Sequence, residues 1–296
     1  MEITNPSTLP AGANRGLSRP VSPGVIVLAT IRKNLQITRR YLPNLAGNLI
    51  EIAIRAVFFL LFSNTISLNT GAAGGAALSG RGLFLFLLSS LALFVFTRST
   101  LWGPINAVTN DLYNGTLEYL YSSPGSRYAY YIGVVLSEVI ISQAVFIPVL
   151  IALVTLSGMD LATALLVVLA CVVVLISLTA MGIMIALLAL LWRQVNSIAS
   201  VLGILFEMLA GAYLPVSAFP VYLRYLAYLL PFTWGYDLLR YYSLTSPGAG
   251  SSWQTILPVW QEWLVLIVFA CVFTAVSRSL LARAEKMARR QGLHII

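Results

Sequence analysis

Apolar runs of about 20 residues recur between Leu45 and Ser277, each long enough as a helix to cross roughly 30 Å of hydrocarbon. Lipid offers no partner to a bare backbone, so such runs must satisfy their own hydrogen bonds, and apolar runs of this length do so as helices. Composition agrees: 59% of the 296 residues are hydrophobic and only 9% are charged, against about a quarter charged in soluble domains. The net charge of +8 therefore speaks to which loops carry Lys and Arg, and no nucleic-acid partner is expected.

The runs predict six spans, at about 45–68, 82–108, 130–156, 161–192, 198–216 and 256–277. The fourth is long for a simple crossing and must tilt or project. Residues 1–24 are rich in Pro, Gly, Ser and Asn and read as a flexible leader rather than a cleaved signal. Val25–Tyr41 places Leu28, Ile31, Leu35 and Tyr41 on helical spacing among Arg32, Lys33, Arg39 and Arg40, the pattern of an amphipathic helix on the membrane surface. This interface helix is expected over 25–43, ended by Pro43, with the six-span membrane domain over 44–280 and a basic tail over 281–296. Lys and Arg crowd residues 1–43 and the tail, whereas 157–160 has none and 70–80 has none. The positive-inside rule then puts both termini and the 109–127 loop in the cytoplasm of a multi-pass cell-membrane protein.

Between the fifth and sixth spans, "LPVSAFPVYLRYLAYLLPFTWGYDLLRYYSL" (214–244) is too apolar for a free loop. Pro215, Pro220 and Pro231 cut it into pieces too short to span. Tyr222, Tyr225 and Tyr228 share a helical stripe, and Trp234 follows the break; such aromatics favour the headgroup level. The expectation is a re-entrant hairpin of two short helices at the outer face, covered by protein or lining a cavity. No repeat relates the first three spans to the last three, which weakens an inverted-repeat transporter. Cys171 and Cys271 sit mid-run and read as buried thiols. A lone His294 with no Cys/His cluster leaves no recognisable metal site.

"TNDLYNGTLEYLYSSPGSRYAYYIG" (109–133) gathers Asp111, Glu118 and Arg127 in a chain that otherwise avoids charge. As an ordinary loop, Asn114-Gly115 and Ser123-Pro124-Gly125 are turns and the charges are solvated. Yet Leu112, Leu117, Leu120 and Tyr121 give a short helix between those turns an apolar face, and such a face at the membrane surface has something to press against.

"GTLEYLYSSPGSRYAYYIGVVLSE" (115–138) resembles the cytoplasmic signature of type-2 ABC export permeases: Gly-Thr-Leu-Glu, a small-residue–Pro turn, then Ser-Arg leading into the third span. "LPVSAFPVYLRYLAYLLPFTWGYDLLR" (214–240) resembles the same family's outer segment, with Phe219-Pro220, Leu230-Pro231 and a closing Leu-Leu-Arg240. The resemblance runs over roughly 25–280. It implies a permease powered by a separate ATP-binding subunit, with ATP and Mg held on that partner. The chain itself has only Lys33 and Lys286, neither following a glycine, so it has no phosphate-binding loop. The resemblance makes 109–125 the coupling helix: Asn114, Gly115, Thr116 and Pro124 bound it, Leu117, Leu120 and Tyr121 supply apolar contact, Glu118 is the polar anchor, and Arg127 follows. It also implies export, and a dimer of permeases, identical or related.

Ionisable groups inside spans are costly and default to functional candidates. Glu51 and Arg55 lie four apart on the first span, in a favourable pairing order, and fit a paired structural role or a transport role. Glu138 in the third span reads first as a structural contact, and Arg98 in the second as a snorkelling side chain. Glu207 is too short to snorkel from the middle of the fifth span; beside Gly203, Ala210 and Gly211 it faces either a partner helix or a substrate path. The apolar spans favour an amphipathic or lipid-linked cargo. The expected fold is thus an all-α, six-span permease with an interface helix, a coupling helix and an outer hairpin. The rivals are an ion- or proton-coupled secondary transporter using Glu51, Glu138 and Glu207, and a non-transporting scaffold docking partners through 109–127. The basic tail is expected to contact anionic lipids.

Overall fold

The structure is a computed structural model and describes residues 22–68, 77–113, 115, 126–191 and 195–291. Among these the chain is helical, with one isolated antiparallel bridge, Leu68 to Leu78. The elements are α1 (Pro23–Arg40), α2 (Leu42–Thr65), α3 (Gly80–Tyr113), α4 (Arg127–Ser157), α5 (Leu161–Leu191), α6 (Val195–Leu209), α7 (Val221–Tyr228), α8 (Pro231–Leu244) and α9 (Val259–Gln291), with a 3-10 turn at Val216–Ala218 before α7. Among the described residues, five helices are long and apolar enough to cross a membrane, at Leu45–Thr65, Gly80–Thr97, Tyr128–Ser157, Leu161–Ile185 and Val259–Arg283.

The expected fifth span is shorter than its apolar run. α6 has 15 described residues, rising about 22 Å, and it stops at Leu209 rather than continuing to Val216. Gly211 at φ +86° turns the chain into the left-handed region that glycine adopts without steric cost. A Cβ there would lie 2.8 Å from Cγ2 of Val216, so the turn also needs the missing side chain. Pro43 acts differently from expectation too. α1 ends at Arg40 through the irregular backbone of Tyr41, and Pro43 lies in the first turn of α2, where its fixed φ and missing N–H cost nothing.

α3 is the hub. It packs along α4, α5, α8 and α2, while α9 lies on α5 and α8. Its Gly80–Thr97 half is 72% buried, against 11% for the span in α2. That is why α3 reads as a near-continuous Leu/Phe run: Leu83, Leu85, Phe86, Leu91 and Leu93 are all enclosed, and a helix surrounded on every side has no polar face. One end of the bundle is tied by the Leu68–Leu78 bridge, by Arg81 donating from Nη2 to Leu156 O (2.6 Å), and by Gly248 N to Ser157 O (2.9 Å). At that end Asp160 caps α5, accepting from Thr163 N at 3.3 Å and from the Thr163 hydroxyl; the hydroxyl bond first, then the backbone bonds, hold its carboxyl below the usual range. At the opposite end Ile105, Tyr131, Ile183 and Leu281 form a second apolar cluster joining α3, α4, α5 and α9. There α1 crosses α4: Thr30 packs against Gly133, where a Cβ would fall 2.7 Å from Thr30 Cβ, and Asn34 Nδ2 donates to Ser137 Oγ at 2.7 Å.

Candidate functional site

The segment between α3 and α4 falls mostly outside the described residues: Asn114, Thr116, Leu117, Glu118, Leu120, Tyr121 and Pro124 are among those not described, and of the expected coupling residues Gly115 and Arg127 are. Gly115 is exposed, has φ +66°, and would meet nothing within 4 Å if it carried a Cβ. Ser126 then caps α4, accepting from Ala129 N at 3.3 Å, and Arg127 is the first residue of that helix. The segment thus joins the ends of two helices that pack along one another.

Three of the expected intramembrane charges, Glu51, Arg55 and Glu207, assemble into one cluster that sequence spacing alone did not join. Arg55 donates from Nη2 to Glu51 Oε1 (3.3 Å) and from Nη1 to the Tyr213 hydroxyl (3.4 Å); that hydroxyl donates to Glu207 Oε1 (2.7 Å). The Arg55 guanidinium also lies 4.6 Å from the Phe94 ring centre, an added attraction for a cation. Tyr213 is the residue that reading the sequence missed. It sits just past the Gly211 turn, so its direction depends on where α6 ends. The crevice beside Arg55, Glu207 and Tyr213 holds about 10 Å³, no more than about one water. Tyr213→Phe should cost about 1 kcal/mol, because the hydroxyl bridges two charged groups that are each partly solvent-accessible. Its coupling to Glu207→Gln in a double-mutant cycle of unfolding measures this directly; additive effects would show the bridge contributes nothing.

The 214–244 region forms two helices, each started by a proline: Pro220 precedes α7 and Pro231 opens α8, while Pro215 precedes the short turn. The two helices differ sharply. α7 exposes Tyr222 (87%) and Tyr225 (68%), whereas every residue of α8 except Tyr241 and Tyr242 is buried. Tyr228 and Trp234 join the two pieces, with rings 5.7 Å apart and Trp234 Nε1 donating to Tyr228 O at 3.1 Å. Arg224 ties α7 back to its entry, donating from Nε to Phe219 O (2.7 Å) and from Nη2 to Ser217 O.

Arg240 is the largest fully buried side chain. Its Nη2 reaches Ser90 Oγ (2.8 Å), Gly211 O (2.5 Å) and Ala212 O (3.1 Å), and its guanidinium lies 3.7 Å from the Phe86 ring centre. One turn earlier, Asp237 accepts from Trp253 Nε1 (2.7 Å) and Ile256 N (2.8 Å). Buried Glu262, at the start of α9, accepts from Leu257 N (3.1 Å), and Trp263 Nε1 donates to the Tyr242 hydroxyl (3.0 Å). Asp237 and Glu262 were not singled out from sequence, although an Asp three residues before an Arg in an apolar stretch was a visible signal.

A fourth feature is a cavity of about 330 Å³ lined by α2, α3 and α4, into which Glu138 projects. The stem of Glu138 fills the space left by Gly103, where a Cβ would lie 3.1 Å from Glu138 Cγ. Among the described residues, no group of three or more His, Cys, Asp or Glu side chains is arranged to hold a metal.

A search among curated proteins finds no match to the chain. A family model, ABC-2 type transporter, matches residues 25–244, from α1 through α8. That stretch contains both motifs read from the sequence, the central α3 and the hairpin whose α8 is buried against it. This all-helical, multi-pass chain therefore belongs to the ABC-2 type transporter family and is an ABC permease subunit, a transport component not itself catalytic.

Proposed function

We propose that this permease exports an amphipathic or lipid-linked cargo, driven by ATP hydrolysed on a separate subunit that docks on residues 109–125. The observation that carries this reading is the family match over α1–α8 together with the position of that segment. It connects the ends of two helices packed along one another, so a push on it re-angles α3 and α4 as a pair. ATP and Mg belong to the partner subunit.

On this reading the end of the bundle at α1 and the α3–α4 connection is cytoplasmic, with both termini there, α1 lies in the interface, and α6 with its flanking residues completes a sixth crossing. Two permeases pair across faces that one chain leaves bare. Ile50, Ile54, Val57, Phe58 and Leu61 on α2 and Val201, Ile204, Leu205 and Met208 on α6 are all exposed, on stripes of helical spacing. The hairpin supports an outer gate in which α8 is the fixed half and α7 the movable one. α8 is sunk in the core, while α7 presents aromatic side chains outward at headgroup level.

The test is affinity purification of the tagged chain in mild detergent, beside Leu117→Asp and Glu118→Arg variants. A stoichiometric P-loop ATPase should accompany the parent chain and be lost from both variants, since one loses apolar contact and the other reverses the anchor's charge. A folded parent chain without any ATPase would overturn the reading, and gradient-driven flux with a Glu207→Gln control would then be measured.

A further inference from the structure

Among the described residues, the cavity between α2 and α4 has no structural use in the fold. α2 and α4 barely touch, and α3 forms the floor between them. Its wall is mixed: Glu138, Asn48 and Asn106 bring polar groups, while Ile52, Val145 and Trp102 bring apolar surface. Glu138 is part-buried on α4, and no hydrogen bond or ion pair joins its carboxylate to another of the described residues. A part-buried carboxylate without a partner among the described residues is costly, and a space of about 330 Å³ beside it is within the range of small-molecule sites.

We propose that this cavity binds an amphiphile with an ammonium head and an alkyl tail. The head pairs with Glu138 and donates to the side-chain oxygens of Asn48 and Asn106, while the tail runs over Ile52 and Val145 and the Trp102 ring covers its cationic end. An anionic head is repelled by Glu138, and a neutral one leaves it unpaired. Depth supports the same chemistry. Asn34 of α1 binds Ser137, the residue before Glu138, so if α1 lies in the interface as proposed above, Glu138 sits just below the headgroups of the inner leaflet. That placement, and a role for the ligand as cargo, rest on the permease reading; the site itself does not.

Trp102 makes the site observable. The full-length chain in neutral detergent is titrated with a bromine-tipped long-chain alkylammonium, using the matching alcohol and alkyl sulfate as controls. Quenching that disappears in Trp102→Phe reports the cavity. The ammonium should quench saturably and about tenfold more tightly than the alcohol, and Glu138→Gln should erase that preference. Glu138→Asp keeps the charge and should retain part of it. The same comparison in nanodiscs with bromine-labelled phosphatidylethanolamine and phosphatidylglycerol identifies the source. Selective quenching by the aminolipid assigns a resident lipid, and quenching by the single-chain amine alone assigns a freely partitioning amphiphile. Equal quenching by ammonium and alcohol overturns the proposal, as does full preference in a folded Glu138→Gln variant. None of these readouts involves an ATPase, so failure here is separable from failure of the co-purification.

Discussion

Arg240→Ala should destabilise the folded chain by about 3–5 kcal/mol, because it strips the positive charge from a buried polar cluster and leaves its partners in place. Three acceptors lose their donor at once: Ser90 Oγ, Gly211 O and Ala212 O. The two carbonyls belong to the turn where α6 has ended, so they have no helical N–H to fall back on, and each unsatisfied buried acceptor costs about 1–3 kcal/mol. The Phe86 ring loses a cation held 3.7 Å from its centre. Arg240→Lys should be milder, since an ammonium still supplies charge but not the flat fork that reaches several acceptors while stacking on an aromatic. Arg240→Met should fall between, restoring volume but no donor.

The chain carries its own reporter for this series. Cys171 lies fully buried on α5, whereas Cys271 is exposed on α9. In a Cys271→Ser background, a thiol-reactive dye therefore reports loss of the core around Cys171. The midpoint of labelling against temperature should fall in the order Lys, Met, Ala. A midpoint for Arg240→Ala matching the parent would mean that Arg240 does not hold the α6–α7 turn to α3.

Much of this architecture was legible because a membrane helix needs length and apolar character together, and both are read off one window. α2, α3, α4, α5 and α9 appear close to where their apolar runs lie. The run at 198–216 overstated where its helix ends because hydropathy measures only suitability for lipid. It carries no term for the backbone of Gly211, which breaks the helix although Ala212, Tyr213 and Leu214 are as apolar as a span requires. The hairpin's prolines did mark its pieces, since a proline starts a helix as readily as it stops one, but the aromatic pattern could not say which piece was buried. Tyr222 and Tyr225 face outward, whereas Trp234 and Tyr236 are enclosed. The polar clusters were least legible. Arg55 meets Tyr213 across 158 positions, and Arg240 meets Ser90 across 150. Each of these contacts depends on how three helices cross, and no local spacing encodes that.

Gly235→Leu should prevent α8 from seating, and Gly235→Ala should already cost about 1–3 kcal/mol as overpacking. A Cβ at this position would fall 2.5 Å from Cγ2 of Val174 on α5 and 3.2 Å from Cδ2 of Leu93 on α3, so α8 is wedged between two helices with no space for one more carbon. Val174 is β-branched and cannot rotate a methyl away cheaply, which makes the neighbour's stiffness the decisive factor. Removing that methyl together with its twin supplies the control. Val174→Ala alone leaves a small void and should destabilise, but paired with Gly235→Ala it should recover much of the loss, a favourable coupling that only direct contact produces. The same Cys171 labelling assay reads all four variants. Additive losses would place the clash elsewhere and leave α8 loosely held. A strong rescue would establish α8 as a fixed wall of the bundle, and a gate built on the 214–244 hairpin would then have to open by moving α7 and the Gly211 turn against it.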